Sequence, residues 1–146
     1  MAIRNTDQWV DSLRPRVAAV TPQELSDRLK RGDKITVIDL RELQERIDSG
    51  TIPGSHHVPR GMLEFWADPA SVYHRTYFTE DAEYVVFCAA GQRSVLAAVT
   101  LMEMGFPKVS HLEGGFGAWK KEGLPIEDAA ATSRWQRKTP RDVQVG

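Results

Sequence analysis

Two short apolar runs limit the folds open to this chain. "ITVIDL" (residues 35–40) and "EYVVFC" (residues 83–88) are rich in β-branched and aromatic residues and bounded by charge. Neither alternates apolar with polar, the pattern of strands buried on both faces. Helical signals lie before, between and after them. Thr21, Pro22 and Glu24 read as an N-cap, a first helical residue and the acid of a capping box, opening a helix that runs to Lys30 and stops at Gly32. "RSVLAAVTLMEMG" (residues 93–105) reads as a helix ending on glycine. Strands alternating with helices imply parallel pairing through crossover helices, hence an α/β fold.

The remaining segments fit that frame. Residues 1–14 read as an amphipathic helix with Ile3, Trp9, Val10 and Leu13 as its apolar positions. "RVAAV" (residues 16–20) and "KVSHLEGG" (residues 108–115) are further strand candidates, and "HHVP" (residues 56–59) a brief one. Residues 42–47, the stretch "GMLEFWADPAS" up to Pro69, and residues 116–121 read as short helices. "SGTIPGS" (residues 49–55) is a loop punctuated by Gly50, Pro53 and Gly54. "YHRTYF" (residues 73–78) reads as an aromatic surface segment; with Arg60, Met62, Phe65 and Trp66 it is a candidate wall of the site mouth.

Composition excludes some partners. The chain of 146 residues carries 19 basic and 20 acidic side chains, a net charge of -1. That balance gives no general attraction to nucleic acid or anionic membrane. The N-terminus has no apolar core of signal-peptide length, and no apolar run approaches a membrane span. One cysteine cannot form an internal disulfide, which suits a reducing, cytoplasmic compartment. The four histidines, His56, His57, His74 and His111, have no metal-ligand spacing, so no metal or cofactor is expected.

The chemistry concentrates at "VVFCAAGQRS" (residues 85–94). A strand stops at Cys88, small residues follow, and a helix begins near Arg93. Ligands of open parallel sheets bind beyond the C-terminal strand ends. Ala89, Ala90, Gly91 and Gln92 place little bulk in the loop, so the backbone N–H groups of residues 89–94 can turn inward as an anion nest. The next helix adds its positive end and Arg93 a permanent cation. These features favour a thiolate, the nucleophilic form of cysteine. Ser94 is either a further donor to the sulfur or a helix-start residue. Asp39, Arg41 and Glu45, where the strand of residues 35–40 gives way to a helix, are candidate braces of Arg93 and the loop. By itself such a nest accommodates a persulfide, a phosphate or an arsenate.

The chain resembles the rhodanese family in several ordered segments. They are "VIDLRE" (residues 37–42), Glu45 followed by "SGTIPGSHHVPRG" (residues 49–61), "CAAGQRS" (residues 88–94) and "LMEMGFPKVSHLEGGFGAWKKEGLPI" (residues 101–126). Thr51 stands where the family usually has His, and Ser55 where Ala is common. The resemblance implies an open five-stranded parallel sheet with helices on both faces. It places an N-terminal helical extension at residues 1–16, the rhodanese-like domain at 17–127 and a polar tail at 128–146. It implies ping-pong sulfurtransfer, with Cys88 attacking a donor such as thiosulfate and its persulfide passing sulfur to a thiol or other thiophilic acceptor. Small-molecule or protein persulfide donors and thiol acceptors are the expected partners.

Two alternatives accompany that reading. Phosphatases related to this fold carry C-x5-R, one residue more than the C-x4-R of residues 88–93, and the shorter loop fits a sulfur atom better. A non-catalytic docking module is the other. The tail carries Arg134, Arg137, Lys138 and Arg141 against Asp142, a surface for an acidic partner or an anionic donor. The N-terminal helix or the tail could also mediate a homodimer.

Overall fold

The computed structural model describes residues 2–132. The basic tail lies outside the described residues. Five parallel strands form one sheet: β1 (Ala18–Val20), β2 (Thr36–Asp39), β3 (His56–His57), β4 (Tyr84–Phe87) and β5 (Val109–Leu112), in the order β1-β5-β4-β2-β3. Helices α1 (Thr6–Leu13), α2 (Pro22–Lys30), α3 (Leu43–Ser49), α4 (Leu63–Ala67), α5 (Arg93–Glu103), α6 (Gly115–Lys121) and α7 (Ala129–Thr132) accompany them. This is the expected α/β arrangement with a parallel sheet.

The non-alternating runs of β2 and β4 have a simple cause. Successive side chains of a strand point to opposite faces, and both faces here are covered. Ile38 and Val86 face one core with Val10, Val95 and Leu101 of α1 and α5. Val37 and Val85 face the other, with Leu25 of α2 and Phe116 and Trp119 of α6. The register pairs Val37 with Val85 and Ile38 with Val86, so each apolar layer runs straight across the central strands.

Strand order decides where a site can form. From β2 the chain moves outward to β3, then returns across β2 to β4 and continues to β5. The loops that follow β2 and β4 therefore leave neighbouring strand ends. Such a change of direction opens a crevice at the C-terminal edge of the sheet.

Several expectations need correction. Helix α1 starts at Thr6, because the Asn5 side chain accepts a hydrogen bond from Gln8 N at 3.0 Å and caps it. Val10 is its buried residue, whereas Ile3 is 99% exposed and Trp9 lies partly exposed beneath the Arg4 guanidinium. β1 begins at Ala18, because Arg14–Arg16, with Pro15 at its centre, forms a 3-10 turn. α4 is one short turn, preceded by a 3-10 turn at Arg60–Met62, and stops at Asp68, whose α conformation Pro69 disfavours. Residues 73–78 hold no helix or strand, and they are not only surface. Phe78 is buried against Tyr84 and Phe106, and Tyr77 stacks on His56 with centroids 3.9 Å apart.

Candidate active site

Cys88 follows β4 directly and is almost wholly buried, at 1% exposure. Gly91 donates its backbone N–H to the sulfur at 3.3 Å, and the Ser94 hydroxyl lies 3.7 Å from it. Gly91 has φ of +94°, a left-handed conformation that turns the loop back over the sulfur and that side chains rarely adopt. Burial would raise the thiol pKa. Hydrogen bonds from the Ser94 hydroxyl and from the backbone of Ser94, Gly91 and Ala90 outweigh it, and the net shift is downward.

Inward N–H groups require outward carbonyls, and buried carbonyls need partners. The start of α6 supplies them. Phe116 N donates to Cys88 O at 2.8 Å, and Gly117 N donates to Ala89 O at 3.0 Å. Close approach is possible because residue 115 is glycine. A Cβ there would lie 2.6 Å from Cys88 O and 2.7 Å from the Ala89 carbonyl carbon. Gly114 and Gly115, which turn the chain from β5 into α6, also form the seat of the cysteine loop.

Arg93 and Glu45 meet across the crevice. Two parallel hydrogen bonds of 2.9 and 2.8 Å join the guanidinium to the carboxylate. The Arg93 bonds hold the Glu45 carboxyl well down, at about 2, and the same contact raises Arg93, with the Cys88 sulfur a smaller contributor. Glu45 also accepts the Glu42 backbone N–H at 2.8 Å, so one carboxylate both caps α3 and orients the loop arginine.

Asp39 and Arg41 do not join that contact. Asp39, fully buried, accepts the backbone N, Nε and Nη2 of Arg41, Nε of Arg46 and the Thr51 hydroxyl, all within 2.8–3.0 Å. Arg41 continues to Gly50 O and Ser49 Oγ and lies 4.3 Å over the Phe116 ring. This cluster ties the C-terminal end of α3, at Ser49 and Gly50, to the end of β2, and none of its bonds reaches Arg93 among the described residues. Thr51 contributes to it as a buried hydroxyl donor. The Gln92 side chain turns away from the sulfur to Asp7 of α1, at 3.0 Å.

Sequence reasoning did not select His111. The four histidines have separate partners: His57 contacts Arg41 O, His74 contacts Phe78 O, and His56 stacks on Tyr77. His111 is buried on β5, in register with Val86, and its Nδ1 lies 2.9 Å from Ser94 Oγ. The strand pattern alone does not say which neighbour that ring faces. Burial, with Arg14 nearby, pushes its pKa down to about 4 from 6.5. The unfolded chain therefore binds an extra proton between those values. Stability conferred by the neutral ring is complete above about pH 6.5 and is lost as pH falls toward about 4, by roughly 3 kcal/mol. Burial lowers His56 and His57 as well, so they add to the same slope. Urea midpoints between pH 7 and 4.5 are expected to fall less steeply in His111→Leu than in the unsubstituted chain.

The model of the rhodanese-like domain family matches residues 21–122. A sulfurtransferase of Allochromatium vinosum is 30% identical over 110 residues, which cover 75% of this chain and 94% of that protein. The thiosulfate sulfurtransferase GlpE of Actinobacillus pleuropneumoniae is 34% identical over 78 residues, covering 47% of this chain and 72% of that one. A solved structure from Rhodopseudomonas palustris, described as a protein of unknown function and possible tyrosine phosphatase, superposes with a TM-score of 0.82. It is 41% identical, covering 87% of this chain and 97% of that one. With its five-stranded parallel sheet and its match across residues 21–122, this chain belongs to the rhodanese-like domain family, whose relatives here include sulfurtransferases.

Proposed function

We propose that this chain moves sulfane sulfur from a donor such as thiosulfate to a thiophilic acceptor through a persulfide on Cys88. The observation that carries the reading is the cysteine sulfur held under the Gly91 N–H at 3.3 Å, with its thiol pKa lowered despite burial. The thiolate attacks the outer sulfur of thiosulfate. A bond forms between Sγ and that sulfur, the bond to the sulfite group breaks, and sulfite leaves with the electron pair. The terminal persulfide sulfur is anionic and occupies the nest. An acceptor such as cyanide or a thiol then takes the outer sulfur, and the electrons of the broken S–S bond return to Sγ. With one cysteine in the chain there is no internal resolving thiol, so the acceptor is external. A working thiolate suits a reducing compartment, and we place the chain in the cytoplasm.

Backbone N–H groups of residues 89–94, with the Ser94 hydroxyl, form the cradle in this reading, and Glu45 holds Arg93 at its edge. The C-x4-R spacing and the sulfurtransferase relatives favour sulfur over phosphate. The test is incubation with thiosulfate followed by mass spectrometry. A gain of one sulfur atom, removed by cyanide, is expected; a protein that never gains sulfur sinks the reading. In Arg93→Ala the Cys88 pKa is expected to rise and loading at neutral pH to slow by about tenfold. An alkylation pH profile identical to that of the unsubstituted chain would restrict Arg93 to bracing the loop.

A further inference from the structure

We infer that His111 is a positioning residue that acts on Cys88 through the Ser94 hydroxyl, relaying the thiol proton by exchanging its tautomer. Three buried side chains from three elements stand in line. The Cys88 sulfur is 3.7 Å from Ser94 Oγ, and Ser94 Oγ is 2.9 Å from His111 Nδ1. None exceeds 4% exposure. The sulfur-transfer chemistry above uses the first two and leaves the ring without a role.

Between Cys88 and Nδ1 the line has two hydrogen-bonding states with the same heavy-atom positions. With Cys88 as a thiol, S–H donates to Ser94 Oγ, Ser94 O–H donates to Nδ1, and the ring carries its proton on Nε2. On ionisation the thiol proton passes to Ser94 Oγ, the hydroxyl proton passes to Nδ1, and the Nε2 proton leaves to water. One proton has gone to solvent and the ring is neutral at the end. Ser94 now donates to the thiolate, and its oxygen accepts from Nδ1–H. A hydroxyl can donate to only one partner at a time. Serving the thiolate therefore requires that Nδ1 become the donor, which a neutral imidazole does by exchanging its Nε2 proton for one on Nδ1.

The surroundings favour transfer over storage. Arg14, from the 3-10 turn after α1, is the cation beside the ring, and its own Nε is bonded to Asp11 of α1 at 3.0 Å. That positive charge disfavours a lasting imidazolium. From β4 and α5 the groups facing the relay are Cys88 and Ser94 themselves, while Arg93 is engaged by Glu45.

The inference deepens the sulfur-transfer reading and rests on Cys88 being its nucleophile. Its test reads only the thiol proton, so it can fail while sulfur loading succeeds, and the reverse. Histidine 15N spectra are recorded across pH with the rate of Cys88 alkylation by iodoacetamide. The His111 tautomer is expected to switch from Nε2–H to Nδ1–H at the alkylation midpoint, and to stay constant in Cys88→Ser. The midpoint is expected to rise by about one unit in His111→Leu. His111→Asn, whose amide N–H replaces Nδ1–H, is expected to recover most of that shift. One tautomer on both sides of the midpoint overturns the inference, and that measurement needs no variant. A His111→Leu midpoint equal to that of the unsubstituted chain overturns it as well.

Discussion

Replacing Cys88 by Ser is expected to abolish sulfur loading from thiosulfate and to lower any cyanide-dependent turnover by at least about a thousandfold. The change is small in volume, and the hydroxyl remains an acceptor for the Gly91 N–H that now reaches the sulfur. The folded structure should therefore survive, and the loss is chemical. The nest lowers a thiol pKa that starts in the range of about 8–9. A serine hydroxyl starts far above that range, and its oxygen cannot form a persulfide. Intact-mass measurement after thiosulfate treatment checks the outcome. A Cys88→Ser protein that still gained one sulfur would place the carrier elsewhere. Clear aryl phosphate hydrolysis lost in Cys88→Ser, without sulfur loading in the unsubstituted chain, would instead assign the nest to phosphate.

Asp39→Ala is expected to cost about 3–5 kcal/mol of stability. Asp39 is fully buried and receives five hydrogen bonds, four from Arg41 and Arg46 and one from Thr51. Its removal leaves the buried Arg41 and the largely buried Arg46 without their shared counter-charge. A loss of that size is a large part of the roughly 5–15 kcal/mol that stabilises a domain. The partly exposed pair of Arg28 with Glu83 provides the contrast. Its carboxylate bonds are as short, at 2.8 Å, but both side chains reach solvent. Glu83→Ala is expected to cost about 1 kcal/mol at most. Urea unfolding of the two variants checks the difference, and equal midpoints would mean that the Asp39 cluster carries no special weight.

The Asp39 cluster also changes the reading of the candidate braces. From sequence, Asp39, Arg41 and Glu45 form one charged group near the end of β2. In the fold they divide into two devices. Glu45 reaches over the crevice to Arg93, 48 residues away. Asp39 and Arg41 turn under α3 and tie its end at Ser49 and Gly50 to the strand. The division follows from which side chains the strand buries, which a run of charges in a sequence does not state.

The class of fold and the position of the candidate site are legible in local sequence patterns. The unalternating apolar runs of β2 and β4 record a sheet covered on both faces, because every second residue must find a core. The position of Cys88 just after such a run, before small residues and a helix, places the sulfur at a sheet edge where ligands bind. Both are local patterns, readable within about ten residues. What stands against the sulfur loop follows from the three-dimensional arrangement of the strands. The order β1-β5-β4-β2-β3 brings Glu45 to Arg93, Gly115 to the carbonyls of Cys88 and Ala89, and His111 to Ser94. Each of those meetings joins different elements, and nothing in the periodicity of one element specifies its neighbour. Strand order and register do that, through the packing of whole apolar faces.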